Sequence, residues 1–179
     1  VAAMGTFFVF SDYMKPAVRI AALMQVPVKF IWTHDAFRVG EDGPTHEPVE
    51  QEAQIRLMEK LKNHAGKDSV RVFRPADADE TTVCWKLAME NVETPTALIF
   101  SRQGIAKLPE GTDYEQAAKG AYIVAGSDEN PDVILVASGS EVSTLEAGCE
   151  ALRADGIKVR VVSAPSEGLF RGQSKEYQE

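Results

Sequence analysis

Near its N-terminus the chain reads Pro27-Val28-Lys29-Phe30-Ile31-Trp32-Thr33-His34-Asp35, an apolar run that turns polar at its end. A short apolar run of this composition is typical of a buried strand, so we expect a strand over 27–32. His34 and Asp35 would then emerge at its C-terminal end. Ligands of open α/β sheets bind outside the carboxyl ends of the strands, and we therefore expect the functional site here.

Strand-like and helix-like patterns alternate on both sides of this strand. The predicted elements are an apolar run at 5–10, a helix over 13–24, a helix opening at Pro48, a strand over 69–73, a helix over 79–91 and a strand over 96–100. Such alternation predicts an α/β fold in which helices cover both faces of a parallel sheet, giving three αβα layers.

The apolar period is lost after the last of these strands. Two glycines and a proline interrupt this part of the chain. The pattern predicts a first domain over 1–103, a linker over 104–119 and a second domain over 120–179.

The second domain has the pattern of a βαβ unit. We expect a strand over 132–137, a helix that begins at Ser140 and ends at Gly156, and a strand over 157–162. The two strands of such a unit should be parallel. Because each face of a parallel sheet needs helices over it, this domain is expected to be incomplete.

Composition excludes several classes of protein. The 179 residues carry a formal net charge of −8, which argues against a general binder of nucleic acid or of anionic membranes. No apolar stretch approaches the roughly 18 residues of a membrane-spanning helix. Cys84 and Cys149 lie far apart, which suits the reducing cytoplasm better than a disulfide scaffold.

The richest polar cluster, residues 33–48, follows the strand over 27–32, and it allows three interpretations. His34, Asp42 and His46 could bind a metal, but both histidines lie in one loop rather than on one helical face, which disfavours this reading. Glycines and a proline could simply form a turn with solvated histidines. The third interpretation, which we favour, is a hydrogen-bonding site for a polar substrate, in which the histidines exchange protons.

Three aromatic residues recur at every third position: Phe7, Phe10 and Tyr13. Base rates favour aromatic side chains in the core. If the segment curls after a strand, however, the three rings could line a flat heteroaromatic ligand and stack against it.

Ser101 and Arg102 follow the strand over 96–100, so they should open at the same sheet edge as His34. A guanidinium can bond two phosphate oxygens at once, and a serine hydroxyl can assist. The alternative is a surface arginine paired with a nearby carboxylate.

Taken together, several segments resemble the transketolase family. They are residues 5–10, Thr33-His34-Asp35, Gly40-Glu41-Asp42-Gly43-Pro44-Thr45-His46-Glu47-Pro48, Arg74-Pro75-Ala76-Asp77, Ser101-Arg102-Gln103 and residues 137–142. Their order and spacing match over nearly the whole chain. The Asp-Gly-Pro-Thr-His core is shared more loosely with other thiamine-diphosphate enzymes such as deoxyxylulose-phosphate synthase.

The resemblance implies a cofactor and a reaction. The family transfers a two-carbon ketol unit from a ketose phosphate to an aldose phosphate in the pentose phosphate pathway. Its pyrimidine-binding domain would hold the aminopyrimidine ring of thiamine diphosphate against Phe7, Phe10 and Tyr13. The second domain would be the start of the family's C-terminal domain.

The resemblance also implies roles for the polar residues. His34, Arg102 and Ser101 would bind the sugar phosphate, with His34 and Arg102 near its phosphate. Asp42 would bond a substrate hydroxyl, and His46 would face the hydroxyls and oxyanion of the two-carbon fragment. His34 and His46 are thus the predicted catalytic residues.

The resemblance implies further partners as well. The family's activating glutamate matches no residue here and is expected before the first residue of this chain, in the part of the pyrimidine-binding domain that is missing. The diphosphate site, with Mg²⁺ or Ca²⁺, belongs to an N-terminal domain, and the family site forms between the subunits of a homodimer. Val1 opens the chain without a Met, so we expect a piece of a longer protein that is inactive alone. Another thiamine-diphosphate enzyme, or a non-catalytic binding module, is the alternative.

Overall fold

The computed structural model describes residues 1–35, 38–126 and 130–179. They form two compact units. Unit 1 contains residues 1–73 and 85–104, and unit 2 contains residues 74–84 and 105–179. The domain limits expected from the sequence, 1–103 and 120–179, stay a prediction. Within the described ranges, no helix has the length and apolar character needed to cross a membrane.

Unit 1 is built around a parallel sheet. Its elements are β1 (Ala3–Phe7), a 3-10 turn (Phe8–Phe10), α1 (Ser11–Met24), β2 (Lys29–Thr33), a 3-10 turn (Gly40–Asp42), α2 (Gln51–Lys60), β3 (Arg71–Phe73), the end of α3 (Ala78–Glu90) and β4 (Thr96–Ile99). The strand order is β1-β2-β4-β3, and each neighbouring pair is parallel. The predicted α/β fold with a parallel sheet is confirmed.

The core of unit 1 forms where the strands meet the helices. Trp32 is fully buried, and its ring lies 5.6 Å from that of Phe8. The indole N–H of Trp32 donates to the Met14 sulfur at 3.2 Å, so its one polar group is satisfied inside the core. Val18 of α1 and Ile55 of α2 belong to the same cluster. Packing in the core therefore fixes the C-terminal end of β2, where the polar loop begins.

Unit 2 contains a smaller sheet. Its elements are a 3-10 helix (Tyr114–Lys119), β5 (Tyr122–Ala125), β6 (Val133–Ala137), α4 (Glu141–Ala154), β7 (Val159–Ser163), α5 (Glu167–Arg171) and α6 (Lys175–Gln178), together with the start of α3. The predicted βαβ unit is β6-α4-β7, and its two strands are parallel as expected. Ser140 precedes α4 as predicted, but its side chain makes no capping hydrogen bond.

One strand of unit 2 was not expected from the sequence. β5 lies at the edge of the sheet, in the order β5-β7-β6, and runs antiparallel to β7. Its register with β7 shifts between Ile123 and Ala125. A short edge strand with such an irregularity carries only a weak alternation of buried and exposed residues, which explains why the pattern was missed.

A buried carboxylate lies at the centre of unit 2. Glu80 is fully buried. One of its oxygens accepts from the Tyr122 hydroxyl at 2.8 Å and from the Ser163 hydroxyl at 2.7 Å, and the other accepts from the Ala76 backbone N–H. Burial raises the pKa of Glu80, and the Asp77 carboxyl adds to this, although the three hydrogen bonds act in the opposite direction.

This raised pKa predicts a dependence of stability on pH. Between the ordinary glutamate pKa of about 4.3 and the raised value, the folded chain keeps a proton that the unfolded chain has released. The contribution of Glu80 to the free energy of unfolding should therefore be complete at acid pH and fall as the pH rises through this window. Glu80→Gln cannot ionise, and should remove this slope. It should also lower stability at acid pH by about 1–3 kcal/mol, because in either amide orientation the nitrogen cannot accept the hydrogen bonds made to one of the two carboxyl oxygens.

Urea unfolding at a series of pH values checks this expectation. Glu90→Gln, which neutralises an exposed carboxylate on the same helix, is the matched control and should keep the slope. An identical pH dependence for Glu80→Gln and the unaltered chain would contradict it.

Candidate active site

The candidate site lies at the carboxyl edge of the sheet in unit 1. Phe7 at the end of β1 pairs with Thr33 at the end of β2, and Trp32 pairs with Ile99 at the end of β4. The backbone N–H of Phe100 extends this alignment by donating to the Trp32 carbonyl at 2.7 Å. Because these three parallel strands end level with one another, the residues that follow each of them open at the same edge.

The three predicted aromatic residues form a row. The Phe7 and Phe10 ring centroids are 6.3 Å apart with planes inclined by 14°, and Phe10 and Tyr13 are also 6.3 Å apart. Phe7 ends β1, Phe10 lies in the 3-10 turn and Tyr13 lies in the first turn of α1. Side chains three residues apart lie on one side of such helical turns, which aligns the three rings. Phe8, which is out of step with the row, is instead fully buried in the core.

His34 stands directly after β2 with a strained backbone. Its φ is 62°, in the left-handed region that costs a non-glycine residue about 1–2 kcal/mol. Its ring stacks on Phe7 with centroids 3.8 Å apart, and its Nδ1 lies 3.0 Å from the Thr33 hydroxyl oxygen. The neighbouring Asp35, expected to emerge with His34, is 5% exposed.

The loop after β2 brings a carboxylate between an imidazole and a guanidinium. Gly40 and Gly43 both have positive φ, and the turn between them places Asp42 Oδ2 at 3.6 Å from His34 Nε2 and 3.9 Å from Arg102 Nε. A Cβ atom on Gly40 would lie 3.0 Å from Arg102 Cζ. Glycine at position 40 therefore leaves the space that the guanidinium occupies.

His46 reaches the aromatic row from the same loop. Its ring meets Phe10 edge-on at 5.3 Å and Phe7 at 5.8 Å. Its Nδ1 lies 2.8 Å from the Thr45 hydroxyl oxygen, and its backbone N–H donates to the Gly43 carbonyl at 3.0 Å. The loop is thus closed by a turn that presents the imidazole to the rings.

Most of the predicted site residues are therefore connected by direct contacts. The series runs through Tyr13, Phe10, Phe7, His34, Asp42 and Arg102, with His46 against the two phenylalanines. Ser101 precedes Arg102 in the chain, and its hydroxyl oxygen is buried without a hydrogen-bond partner among the described residues. Buried hydroxyls are normally bonded, so this one retains capacity for a ligand.

Three residues of this site were missed by sequence reasoning. Thr33 and Thr45 each place a hydroxyl on the imidazole of the residue that follows, and Gly40 makes room for Arg102. The repeated Thr-His pair was the available signal. Across residues 1–35, 38–126 and 130–179, no three His, Cys, Asp or Glu side chains converge on a metal position.

Comparison with known proteins gives a consistent result. The family model described as the transketolase pyrimidine-binding domain matches residues 1–107, and the transketolase-like C-terminal domain matches residues 120–179. The transketolase of Halalkalibacterium halodurans is 51% identical over 177 residues, which are 98% of this chain and 25% of the relative. That of Geobacillus stearothermophilus is 47% identical over 178 residues, with the same coverage. The chain thus spans about a quarter of the length of these curated relatives.

Solved structures give the same picture. A transketolase structure from Pichia stipitis, described as a complex with sedoheptulose-7-phosphate, has a TM-score of 0.86 at 40% identity, covering 98% of this chain and 24% of that chain. A structure described as a split-gene transketolase, an inactive β4 tetramer, has a TM-score of 0.69 at 28% identity and covers 92% of this chain and 49% of its own.

The strained backbone at position 34 generates a prediction. Alanine normally stabilises a chain relative to glycine, but at a positive φ the order should reverse. We expect His34→Gly to be more stable than His34→Ala by about 1 kcal/mol, because both lose the ring stack and only glycine relieves the strain.

Urea unfolding of the two variants measures this difference. The same pair of substitutions at His46, which lacks a positive φ, is the control. There the alanine variant should be more stable than the glycine variant, which is the usual order. If His34→Ala were also more stable than His34→Gly, the strained geometry at position 34 would be contradicted.

Proposed function

The chain belongs to the transketolase family, and we propose from this that unit 1 contributes one side of the active site of a ketol transferase. The reaction moves a two-carbon ketol unit from a ketose phosphate to an aldose phosphate, as in the pentose phosphate pathway. The supporting observation is the convergence of His34, Asp42, His46 and Arg102 beside the aromatic row at one sheet edge.

The aromatic row suits the aminopyrimidine of thiamine diphosphate. Phe7 and Phe10 are half-buried and Tyr13 is 83% exposed, so a flat heteroaromatic ring can reach them and stack. When bound, the cofactor supplies the nucleophilic carbon and accepts the electron pair of the broken carbon–carbon bond. Its diphosphate and Mg²⁺, or Ca²⁺, would be held by the N-terminal domain of the longer relatives.

The polar residues would bind and orient the sugar. Arg102 lies 3.9 Å from the Asp42 carboxylate, longer than a hydrogen bond, so its N–H groups remain able to grip a phosphate in pairs. The unbonded Ser101 hydroxyl can add a further contact. Asp42 can accept from a substrate hydroxyl, and His46 can exchange protons with the hydroxyls of the two-carbon fragment. His34 would lie near the phosphate with Arg102, where its imidazole can donate or accept a proton.

An exposed apolar stripe on α1 supports a partner at this site. Tyr13, Ile20, Leu23 and Met24 recur at helical spacing and are 83%, 53%, 57% and 65% exposed. Contiguous exposed apolar surface of this kind typically marks a protein interface. We propose that the stripe packs against the N-terminal domain of a partner subunit in a homodimer. The split-gene structure described as inactive supports the idea that this part of the enzyme does not work alone.

Unit 2 presents a second open surface. Ile123, Ile134 and Val136 are 49%, 53% and 59% exposed on its small sheet. Both faces of a sheet that contains a parallel βαβ unit are normally covered. We propose that further C-terminal domain of the longer relatives covers this sheet. Cys84 and Cys149 are buried free thiols, which suits a cytoplasmic protein.

The role assigned to Arg102 can be tested in the enzyme completed to the length of its relatives. Arg102→Ala should raise the Michaelis constant for phosphorylated sugars by about tenfold to hundredfold, because charge-assisted hydrogen bonds to the phosphate are lost. Unphosphorylated sugars should be affected far less. Arg153→Ala, which removes the same charge from α4, is the control and should change neither constant. Equal effects of Arg102→Ala on both kinds of sugar would refute the phosphate role.

The proposed role of the aromatic row predicts different effects of substitution at two nearby phenylalanines, Phe8 and Phe10. In the enzyme completed to the length of its relatives, Phe10→Ala should weaken thiamine diphosphate binding about fivefold, equivalent to about 1 kcal/mol of stacking, with little loss of stability. The matched variant Phe8→Ala should instead lower the free energy of unfolding by about 3–5 kcal/mol, because Phe8 is fully buried. Calorimetric titration and urea unfolding give the two quantities. Unchanged cofactor affinity with reduced stability for Phe10→Ala would show that Phe10 packs in the core and does not bind the cofactor.

A further inference from the structure

Both histidines of the candidate site are preceded by a threonine that contacts their ring. The Thr33 hydroxyl oxygen lies 3.0 Å from His34 Nδ1, and the Thr45 hydroxyl oxygen lies 2.8 Å from His46 Nδ1. A hydroxyl can donate to a bare ring nitrogen or accept from a protonated one. Each contact alone therefore leaves the tautomer open, and a further polar atom has to decide it.

For His46 the deciding atom is a backbone carbonyl. The Thr45 hydroxyl donates to the Asp42 carbonyl oxygen at 3.4 Å. A carbonyl oxygen can only accept, and the threonine has a single hydroxyl proton to give. When that proton is directed to the carbonyl, the hydroxyl oxygen accepts from Nδ1–H of His46. In the neutral ring this leaves Nε2 unprotonated, with a lone pair able to take up a proton.

For His34 the deciding atom is a carboxylate. Its Nε2 lies 3.6 Å from Asp42 Oδ2, where a bare nitrogen lone pair would face a negative oxygen. An ionised carboxylate only accepts, so the favourable arrangement has the proton on Nε2. Nδ1 of the neutral ring is then bare and accepts from the Thr33 hydroxyl.

We propose that Thr33 and Thr45 are positioning residues that hold His34 and His46 in opposite tautomers. His34 carries its proton on Nε2 and His46 carries its proton on Nδ1. Stacking of His34 on Phe7 at 3.8 Å and the edge contacts of His46 with Phe10 restrict rotation of both rings, so that Nδ1 stays at its hydroxyl.

The consequence for chemistry rests on the proposed function. His46 is set to accept a proton from a substrate hydroxyl through Nε2, whereas His34 is set to donate through Nε2 to a phosphate or sugar oxygen. Asp42 thus determines both tautomers. Its carboxylate makes His34 a donor, and its backbone carbonyl, acting through Thr45, makes His46 an acceptor.

Nuclear magnetic resonance of the 179-residue chain can test the tautomers directly. The chain has three histidines, and the exposed His64 serves as the internal reference for an unconstrained ring. Multiple-bond proton–nitrogen spectra of histidine-labelled protein at alkaline pH distinguish Nδ1–H from Nε2–H. We expect opposite patterns for His34 and His46.

Substitutions connect these patterns to the threonines. Thr45→Val should shift only the tautomer signal of His46 toward that of His64, and Thr33→Val should shift only the signal of His34. Thr45→Ser and Thr33→Ser keep the hydroxyl and should therefore keep the original signals. An unchanged His64 signal and an unchanged circular dichroism spectrum report an intact fold. The same tautomer in both rings, or valine variants without effect, would overturn the proposal.

This test is independent of the proposed ketol transfer, because it needs neither cofactor nor substrate. Equal tautomers together with ketol transfer by the completed enzyme would refute only the positioning role. Opposite tautomers without ketol transfer would refute only the proposed function.

Discussion

The parallel register of β1, β2 and β4 is the constraint on which the candidate site depends. Phe7 pairs with Thr33 and Trp32 pairs with Ile99, so three chain segments leave the sheet at one level. Because side chains alternate between faces, a slip of one residue in β2 would turn Trp32 out of the core and His34 away from Phe7. Burial of Trp32 against Phe8 therefore fixes the register, and with it the position of the imidazole.

Local strain is the second feature of this edge. His34 is held at φ 62°, and its stack on Phe7 offsets part of the cost. Gly40 supplies the space for Arg102, which lets Asp42 stand between a guanidinium and an imidazole. A rigid sheet thus carries a loop whose conformation is favourable only when the rings and the carboxylate are all in place. Such an arrangement is expected where positioning of a substrate matters more than stability.

Much of this could be predicted from the sequence, and the reason lies in particular residues. The apolar run before His34 and the short strand before Ser101 indicate buried strands, and parallel strands bring their carboxyl ends together. The edge strand β5 could not be predicted, because its signal is short and its register irregular. The hydrogen bonds of Glu80 with Tyr122 and Ser163 join residues far apart in the chain, and no local pattern reports such pairs.

The most direct test of this account is ketol transfer by the chain joined to the segments that precede and follow the matched region in a relative such as the Halalkalibacterium halodurans transketolase. Transfer from a ketose phosphate to an aldose phosphate would be measured for the joined enzyme and for the 179-residue chain alone. We expect transfer by the joined enzyme, its loss in His46→Ala with cofactor still bound, and none by the chain alone. A folded, cofactor-binding joined enzyme that transfers nothing, or one that is indifferent to His46→Ala, would contradict the proposal that this sheet edge is half of the active site.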